Sequence, residues 1–276
     1  MHILTFDIEE WFHINNSDWI GVEKWPNLEK RIVPNTNIIL SFLKRHKIKA
    51  SFFILGWIAE QYPDLVLQID KDGHDIGFHS YYHRIPQNQS PNEFENDLKK
   101  GLDILENILQ KKVRFYRAPN FSLKNKWMLD CLINNGITIS SSIKNPIHND
   151  GTALPNKPFI FTKNNQTLIE LPLVTWNLLF NKFAYSGSGY FRLLPYIFIK
   201  SMLQNQDYQM LYFHPRDFDI SIPIPKELGF ARNILNTIGT SSTLPKLEKL
   251  SKHFSFISIS QAIEMLDENK LQKVDY

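Results

Sequence analysis

The length and composition of the chain, 276 residues of which 43% are hydrophobic and 13% aromatic, allow a substantial buried core and exclude a disordered protein. The 31 Lys and Arg residues against 28 Asp and Glu leave a formal charge of +3 without a long run of like charges, so nothing indicates a nucleic-acid partner. Cys131 is the single cysteine, which excludes an intrachain disulfide or a cysteine-rich zinc cluster.

The N-terminus leaves no room for a leader peptide, because the first acidic motif begins at Asp7. The most apolar window, residues 193–203, contains Pro195 and Lys200 and is shorter than the roughly 20 apolar residues that cross a bilayer. We therefore expect a cytoplasmic protein without an integral membrane segment, with peripheral contact at the inner membrane as an alternative. The sequence does not define the oligomeric state.

Strand patterns rich in β-branched and aromatic residues alternate with helical patterns along most of the chain. This alternation is typical of βαβ units around a mainly parallel sheet or barrel, and therefore predicts an α/β fold. The predicted strands lie at about residues 3–7, 50–55, 75–78, 113–117, 137–140, 168–171, 210–213 and 254–257.

Two capping motifs mark the starts of helices between these strands. From Ser90 to Glu93 the sequence offers an N-cap serine, a proline at the first helical position and a glutamate that can bond back to the cap. Four leucines within residues 98–109 then predict one buried helix face. Ser258 with Gln261 marks the start of a C-terminal helix in the same way.

A segment dense in Asn, Pro, Lys and Gly, residues 141–166, is predicted to be a surface excursion. Strand and helix patterns resume after it, so it is not expected to be a domain linker. We therefore predict a single domain over residues 1–276, with its core at about 1–140 and 167–276.

The first strand ends in a carboxylate-rich motif that runs from Thr5 to Glu10. Residues two apart in extended backbone point the same way, so Asp7 and Glu9 share a face. One carboxylate can then bind a metal while the other stays free as a base. Glu10 is a competing ligand, and a pair of surface carboxylates is the simpler explanation.

Three further motifs with catalytic potential follow other predicted strands: a pair of histidines, an arginine and a third histidine. His79 and His83 are four apart, which on a helical turn places both imidazoles over one point, a spacing that zinc sites use. Arg117 can hold a catalytic carboxylate ionised and oriented through a bidentate pair, or form an ordinary surface salt bridge. His214 can protonate a leaving amine, or simply pack after its strand.

These motifs are expected to meet in one site, because the carboxyl ends of parallel strands converge at one face of an α/β barrel. A metal, a base and an acid in one place can hydrolyse an unactivated amide. Aromatic residues that follow the first motif, among them Trp11, suit stacking on sugar rings, although core packing is equally open. The other aromatic residues that follow the first motif are Phe12, Trp19 and Trp25. His13 and His148 are further candidate substrate contacts.

The motifs occur in the order that is typical of the polysaccharide deacetylase family with NodB homology, carbohydrate esterase family 4. The shared elements are Thr-Phe-Asp at residues 5–7, His-Ser-x-x-His at 79–83, Arg-x-Pro at 117–119 and Leu-x-x-His at 211–214. The resemblance covers most of the chain. Further stretches, at residues 50–56, 73–77, 117–122 and 188–196, resemble the subgroup that accompanies bacterial exopolysaccharide and O-antigen biosynthesis.

The resemblance implies a distorted (β/α) barrel of about seven strands and a divalent metal, most often zinc. It implies Asp7 as the base, Arg117 as the residue that orients it and His214 as the acid. Asn120 and Tyr190 lie in the resembling stretches and join Trp11 and His13 as candidate substrate contacts. The implied metal ligands are Glu9, His79 and His83.

Two departures from the family pattern carry their own expectations. Many members have adjacent aspartates in the first motif, whereas here Ile8 intervenes and Glu9 is favoured as the ligand. The family also often has an aspartate after the fifth strand that tunes the acid histidine, and here the stretch around Ser140 offers serine. If Ser140 takes that place, the imidazolium of His214 lacks an anionic partner.

The implied activity is the hydrolytic removal of an N-acetyl group from an amino sugar, in a polysaccharide or in its nucleotide- or lipid-linked precursor. One alternative is an amidohydrolase that acts on a small non-sugar amide. The other is a catalytically idle carbohydrate-binding relative that keeps the metal, against which the retention of Asp7 argues.

Overall fold

The computed structural model describes residues 1–13, 20–144, 154–178, 181–183, 186–223 and 237–276. The eight strands predicted from the sequence are confirmed, as β1–β5, β7, β10 and β11 of the following set. The strands are β1 (His2–Ile8), β2 (Ser51–Ile54), β3 (Asp75–Phe78), β4 (Phe115–Tyr116), β5 (Ile139–Ser140), β6 (Phe159–Lys163), β7 (Gln166–Glu170), β8 (Trp176–Leu178), β9 (Asn181–Phe183), β10 (Gln209–Phe213), β11 (Phe256–Ile257) and β12 (Gln272–Asp275).

Helices cover many of the connections between these strands, and both predicted capping motifs are confirmed. Ser90 accepts a hydrogen bond from the N–H of Glu93, whose carboxylate accepts one from the N–H of Ser90. Ser258 and Gln261 make the same reciprocal pair. The helices are α1 (Ile32–His46), α2 (Gly56–Gln61), α3 (Pro63–Lys71), α4 (Pro91–Leu109), α5 (Lys126–Asn134), α6 (Ser188–Leu193) and α7 (Tyr196–Gln204), followed by Thr240–Leu250 and Ile259–Met265.

Ten of these strands form one sheet in the order β10-β1-β2-β3-β4-β5-β7-β6-β12, with β11 also paired to the start of β1, and β8 and β9 form a separate antiparallel pair. Every pair in this sheet is parallel except β6 with β7. Parallel neighbours require crossover connections, and α1, α4 and α5 supply them between successive strands. The fold is therefore α/β, as the alternating patterns predict.

Side chains alternate across β1, and the two faces enter different apolar clusters. Leu4, Phe6 and Ile8 belong to the outer core, which the helices cover. Ile3 belongs to an inner cluster that also contains side chains of β2, β7 and β10. Because strands far apart in the sheet order share this cluster, the sheet curves around it in the manner of a barrel. Asp7 shares the inner face with Ile3 and so comes to the carboxyl end of the barrel interior.

The prediction of a surface excursion over residues 141–166 is wrong for its first residues, 141–143, which are buried, and for its last part. Phe159, Ile160 and Phe161 are buried in β6, which pairs with β7 and β12. Asn164 and Asn165 join β6 to β7 with φ of 48° and 65°, the left-handed pair of a two-residue hairpin turn that asparagine tolerates. That turn allows buried strands on both sides of a polar stretch. Residues 145–153 lie outside the described residues.

Helix length and hydropathy bear on the membrane prediction. Within the described ranges, we find no helix that is both long and apolar enough to span a bilayer.

Candidate active site

The end of β1 carries the two carboxylates of the site. The N–H of Glu9 donates to the carbonyl of Asp7 at 3.1 Å, so the chain turns tightly as it leaves the strand. Both side chains are almost fully buried, with 2% of each residue exposed. Buried ionised carboxylates need cationic or hydrogen-bonding partners, and the neighbouring strands supply them.

His79 and His83 converge on these carboxylates, but not through the helical turn that their spacing predicted. They lie in an irregular loop that follows β3. Ser80 and His83 have φ of 69° and 58°, in the left-handed region, and these two reversals bring the imidazoles together with ring centroids 5.4 Å apart. The helical expectation is therefore wrong, whereas the convergence of the two rings is observed.

The tautomer of His79 is set by the strand next to it. Its Nδ1 lies 2.8 Å from the carbonyl oxygen of Arg117, which can only accept, so Nδ1 carries the proton. Burial lowers the pKa of His79 to about 4, although Asp7 opposes the shift. The ring is thus neutral at pH 7, and its Nε2 presents a lone pair to the site.

Glu9, His79 and His83 form a group that fits a divalent metal. One ligand atom from each lies within 4.8 Å of the other two. Glu9 Oε2 is 2.9 Å from His83 Nε2 and has no hydrogen-bond partner among the described residues. Burial alone would raise the pKa of Glu9, but the charges of its neighbours, His83 first, hold it well below the usual range. An ionised carboxylate with an unsatisfied buried oxygen and two imidazoles is a donor set that zinc sites use.

Glu10, the alternative ligand, is used elsewhere. Its Oε1 accepts hydrogen bonds from the N–H groups of Arg31 and Ile32, at 2.8 and 2.9 Å, and so caps the start of α1. Burial raises its pKa to about 7 in spite of these bonds. The two glutamates therefore have different surroundings. Glu9 lies with His79 and His83 in the metal-competent group, the three residues that fit a metal, and Glu10 does not.

Arg117 lies fully buried inside the barrel and forms an ion pair with Asp7. Its Nη1 donates to Asp7 Oδ1 at 2.7 Å and to the hydroxyl of Thr5 at 2.8 Å. Its Nη2 donates to the hydroxyl of Ser141 at 2.9 Å. Its Nη2 also lies 2.9 Å from the sulfur of Met210. The predicted bidentate pair is therefore wrong, because the guanidinium divides its donors among four residues. Asp7 Oδ2 is left facing the histidines, 4.0 Å from His79 Nε2.

His214 closes the other side of the site, immediately after β10. Its Nε2 lies 3.9 Å from Asp7 Oδ2 and 3.4 Å from Glu9 Oε1. Its Nδ1 and its backbone N–H both contact Asp217 Oδ2, at 3.1 and 2.8 Å. Asp217 is thus the anionic partner of His214, supplied from the 3₁₀ turn Pro215–Phe218.

Asp217 is strongly held in its ionised form. Burial would raise its pKa, but the hydrogen bond and charge of His214, followed by the charges of Arg192 and Arg216, lower it to about 2. Arg192 Nε lies 3.4 Å from Asp217 Oδ1. Asp217 is not among the residues predicted from the sequence, although a carboxylate three positions after His214 is a recognisable capping pattern.

The expectation that a serine at position 140 leaves His214 without an anion is therefore wrong. Ser140 is buried, and its hydroxyl donates to that of Ser142 at 2.8 Å. Glu170, at the end of β7, accepts hydrogen bonds from the N–H groups of Ser142 and Ile143 at 2.7 and 3.0 Å. This serine-rich stretch contacts Arg117 and Glu170 instead of His214.

Two of the predicted substrate contacts are packed inside the protein. Trp11 is 5% exposed, and its indole N–H donates to the carbonyl of Glu29 at 3.0 Å. His13 is fully buried, with its ring against Trp25 and Trp57. Burial lowers the pKa of His13 well below the usual range. A substrate cannot stack on faces that the core already covers, so the packing alternative holds for Trp11, and the prediction that His13 contacts the substrate is wrong.

The other two predicted substrate contacts lie nearer the surface. Asn120, with φ of 57°, follows Arg117 in a 3₁₀ turn and is partly exposed. Tyr190 is 44% exposed on α6, the helix whose Ser188 donates to Asp217 at 3.3 Å. Their roles stay predictions. Trp19 and His148 lie outside the described residues.

Two protein-family models match adjacent segments of the chain. The polysaccharide deacetylase family model matches residues 4–139, which contain Asp7, Glu9, His79, His83 and Arg117. A domain of unknown function, DUF3473, matches residues 141–264, which contain His214 and Asp217. The chain thus carries a domain of the polysaccharide deacetylase family, and the mainly parallel ten-stranded sheet runs through both matched segments.

Two named relatives agree with this assignment. A peptidoglycan-N-acetylglucosamine deacetylase of Bacillus cereus is 33% identical over 95 residues, 32% of this chain and 35% of that protein. A chitooligosaccharide deacetylase of Azorhizobium caulinodans is 34% identical over 85 residues, 30% of this chain and 40% of that protein. The match thus spans less than half the length of each relative.

Solved structures share the fold at low sequence identity. A candidate polysaccharide deacetylase from Mycobacterium smegmatis superposes with a TM-score of 0.66 at 17% identity, over 99% of this chain and 91% of that one. A pseudoenzyme of carbohydrate esterase family 4 from Bacillus anthracis gives 0.52 at 15% identity, over 100% and 69%. The fold is therefore the NodB-like barrel that the sequence motifs implied.

Proposed function

We propose that the chain is a metal-dependent hydrolase that removes the N-acetyl group of an amino sugar. The observation that carries this proposal is the placing of two proton-transfer groups on either side of one metal-competent group. Asp7, backed by Arg117, lies on one side, and His214, backed by Asp217, lies on the other. Glu9, with the two histidines of the loop after β3, lies between them.

Glu9, His79 and His83 would hold the metal, and we propose zinc because a carboxylate and two imidazoles suit it. When bound, such an ion polarises a carbonyl group and lowers the pKa of a water molecule to about 7. The hydrogen bond from His79 Nδ1 to the carbonyl of Arg117 keeps the ring aimed at the site.

Asp7 is proposed as the base that takes a proton from the attacking water. Arg117 occupies Oδ1, so the free Oδ2 faces the two histidine side chains that border the site. A carboxylate whose one oxygen is fixed by a buried guanidinium is oriented before substrate arrives. Loss of such a group costs roughly 100- to 10,000-fold in rate.

His214 is proposed as the acid that protonates the departing amine. Asp217 accepts from Nδ1, which leaves Nε2 to carry the transferable proton toward the site. The same carboxylate accepts from the backbone N–H of His214, so the ring and its backbone are held by one residue. The geometry supports proton delivery at the face opposite Arg117.

The substrate proposed is a polysaccharide or its nucleotide- or lipid-linked precursor, of the kind made in exopolysaccharide or O-antigen biosynthesis. The relatives named above act on N-acetylated sugars of peptidoglycan or chitooligosaccharide. The partly exposed Tyr190 and Asn120 are proposed to border the sugar.

Acetate release tests the proposal, with four classes of N-acetylated substrate: oligosaccharides, nucleotide-linked sugars, lipid-linked sugars and small non-sugar amides. We expect release from oligosaccharides or nucleotide-linked N-acetyl sugars, with Zn²⁺ added, and little from small non-sugar amides. Asp7→Asn and His214→Ala should each lose at least 100-fold. Preference for the small amides would favour an amidohydrolase, and sugar binding without release would favour the idle carbohydrate-binding relative. Full activity in both variants would refute the assignment of base and acid.

A further inference from the structure

Arg216 contacts Glu9, the carboxylate among the three residues that would hold the metal. It lies in the 3₁₀ turn Pro215–Phe218, two residues after His214. Its Nη1 donates to Glu9 Oε1 at 2.5 Å, and the two side chains are 14% and 2% exposed. This is a charge-assisted hydrogen bond shielded from most of the solvent, the kind that fixes a carboxylate in one orientation.

The two oxygens of Glu9 have different surroundings. Oε1 takes the bond from Arg216 and lies 3.4 Å from His214 Nε2. Oε2 faces His83 Nε2 at 2.9 Å and has no hydrogen-bond partner within the described part of the chain. One oxygen is therefore engaged by the protein, and the other is aimed at the imidazoles that would share a metal with it.

The turn that carries Arg216 is itself fixed. Asp217 accepts from the N–H of His214 at 2.8 Å, and its own N–H donates to the carbonyl of His214 at 2.9 Å. The N–H of Asp219 donates to the carbonyl of Arg216 at 3.2 Å. Arg192 adds a contact to Asp217 from α6, at 3.4 Å. Because the backbone on both sides is held, the reach of Arg216 toward Glu9 is set by the fold and is not a chance surface contact.

We propose that Arg216 is a positioning residue for Glu9, which it turns into a one-oxygen metal ligand by engaging Oε1 and leaving Oε2 free. This inference rests on the proposed metal-dependent function. Outer partners of metal ligands orient them, and their removal commonly costs 10- to 100-fold in metal affinity. Arginine suits the task because its planar fork fixes direction as well as charge.

Metal affinity measures this role without reference to catalysis. The purified full chain is stripped of metal, and Zn²⁺ is titrated in competition with a chromophoric chelator. We expect Arg216→Gln to weaken Zn²⁺ binding by about 10- to 100-fold. Arg216→Lys, which keeps the charge but loses the fork, should weaken it by about 3- to 10-fold. The visible spectrum of the Co²⁺-loaded protein should change in both variants, because the coordination of Glu9 changes.

Lys163→Gln is the matched control, since Lys163 forms an ion pair with Asp130 at 2.8 Å on the opposite edge of the sheet. It should leave Zn²⁺ affinity and the Co²⁺ spectrum unchanged. Wild-type affinity and spectrum in Arg216→Gln would overturn the inference, and so would tighter binding, which would mean that the guanidinium competes with the metal. If Arg216→Gln does not fold, unchanged affinity in Arg216→Lys overturns it.

The outcome for the wild-type chain separates this inference from the proposed function. A wild-type chain that binds no divalent metal would refute the metal-dependent function itself, and the inference with it. A wild-type chain that binds Zn²⁺ while the Arg216 variants bind it equally well would refute only the inference.

Discussion

Replacement of Asp217 by Asn tests the anionic partner of His214. Folding lowers the pKa of Asp217 from 3.8 to about 2. At about 1.4 kcal/mol per unit, this shift corresponds to about 2 kcal/mol of folding free energy. Because the folded pKa is the lower one, that contribution is present above about pH 4 and is lost as the pH falls through about 2.

Asp217→Asn should therefore unfold more easily than wild type at pH 7. We expect a loss of about 2 to 4 kcal/mol in urea denaturation, since the buried guanidinium of Arg192 also loses its anion. The difference from wild type should shrink as the pH is lowered from 7 toward 3. Acetate release per folded molecule should fall by about 100-fold, because His214 loses the acceptor that orients its ring.

Asp219→Asn is the control for this experiment. Asp219 lies two residues further on and binds Arg31 and Asn35 at 2.9 Å. Its replacement removes an ion pair from the same region, so stability should fall while acetate release per folded molecule stays near wild type. Equal activity of Asp217→Asn and wild type, or a stability difference that does not change with pH, would refute the role given to Asp217.

Three further predictions address the two glutamates near β1, the buried acid at β7 and the metal. Glu9→Gln should weaken Zn²⁺ binding by at least 10-fold, whereas Glu10→Gln should leave it unchanged; equal effects on binding would contradict the separation of the two. Burial raises the pKa of Glu170 from 4.5 to about 7, so its folding contribution declines as the pH rises through that range. Glu170→Gln should thus be more stable than wild type at pH 8, by about 2 to 3 kcal/mol in urea denaturation, and a gap that does not narrow at pH 5 would count against it. Removal of metal with a chelator should abolish acetate release, and added Zn²⁺ should restore it; activity that survives full metal removal would refute metal dependence.

The strands and the convergence of the motifs could be predicted from the sequence because both follow from periodicity. Alternation along β1 places Asp7 on the inner face, and parallel strands bring their carboxyl ends to one edge. His79, Arg117 and His214 each follow a strand of this sheet, so their meeting with Asp7 needed no further information.

The geometry of individual contacts could not be predicted, because it depends on backbone angles and on competition among partners. The spacing of His79 and His83 fits a helical turn as well as the left-handed loop that is observed. Arg117 has several buried acceptors within reach, and the sequence gives no reason why they should divide its donors. Trp11 belongs to the buried core, which composition alone does not decide.

Two features could have been found from local signals. A carboxylate three residues after His214 is a capping pattern, and it identifies Asp217 as a partner. Asn164-Asn165 between apolar stretches is a hairpin signal, and it identifies β6. The cytoplasmic location stays a prediction.

Metal content and acetate release, measured together on wild type and Asp7→Asn, test the central claim most directly. Asp7 is not one of the three proposed metal ligands, and its Oδ1 forms an ion pair with Arg117. We predict that both proteins bind one divalent ion per chain and that only wild type releases acetate from an N-acetylated oligosaccharide or sugar precursor. Release at the wild-type rate by Asp7→Asn, or no release by metal-loaded wild type from any N-acetylated sugar, would contradict the account.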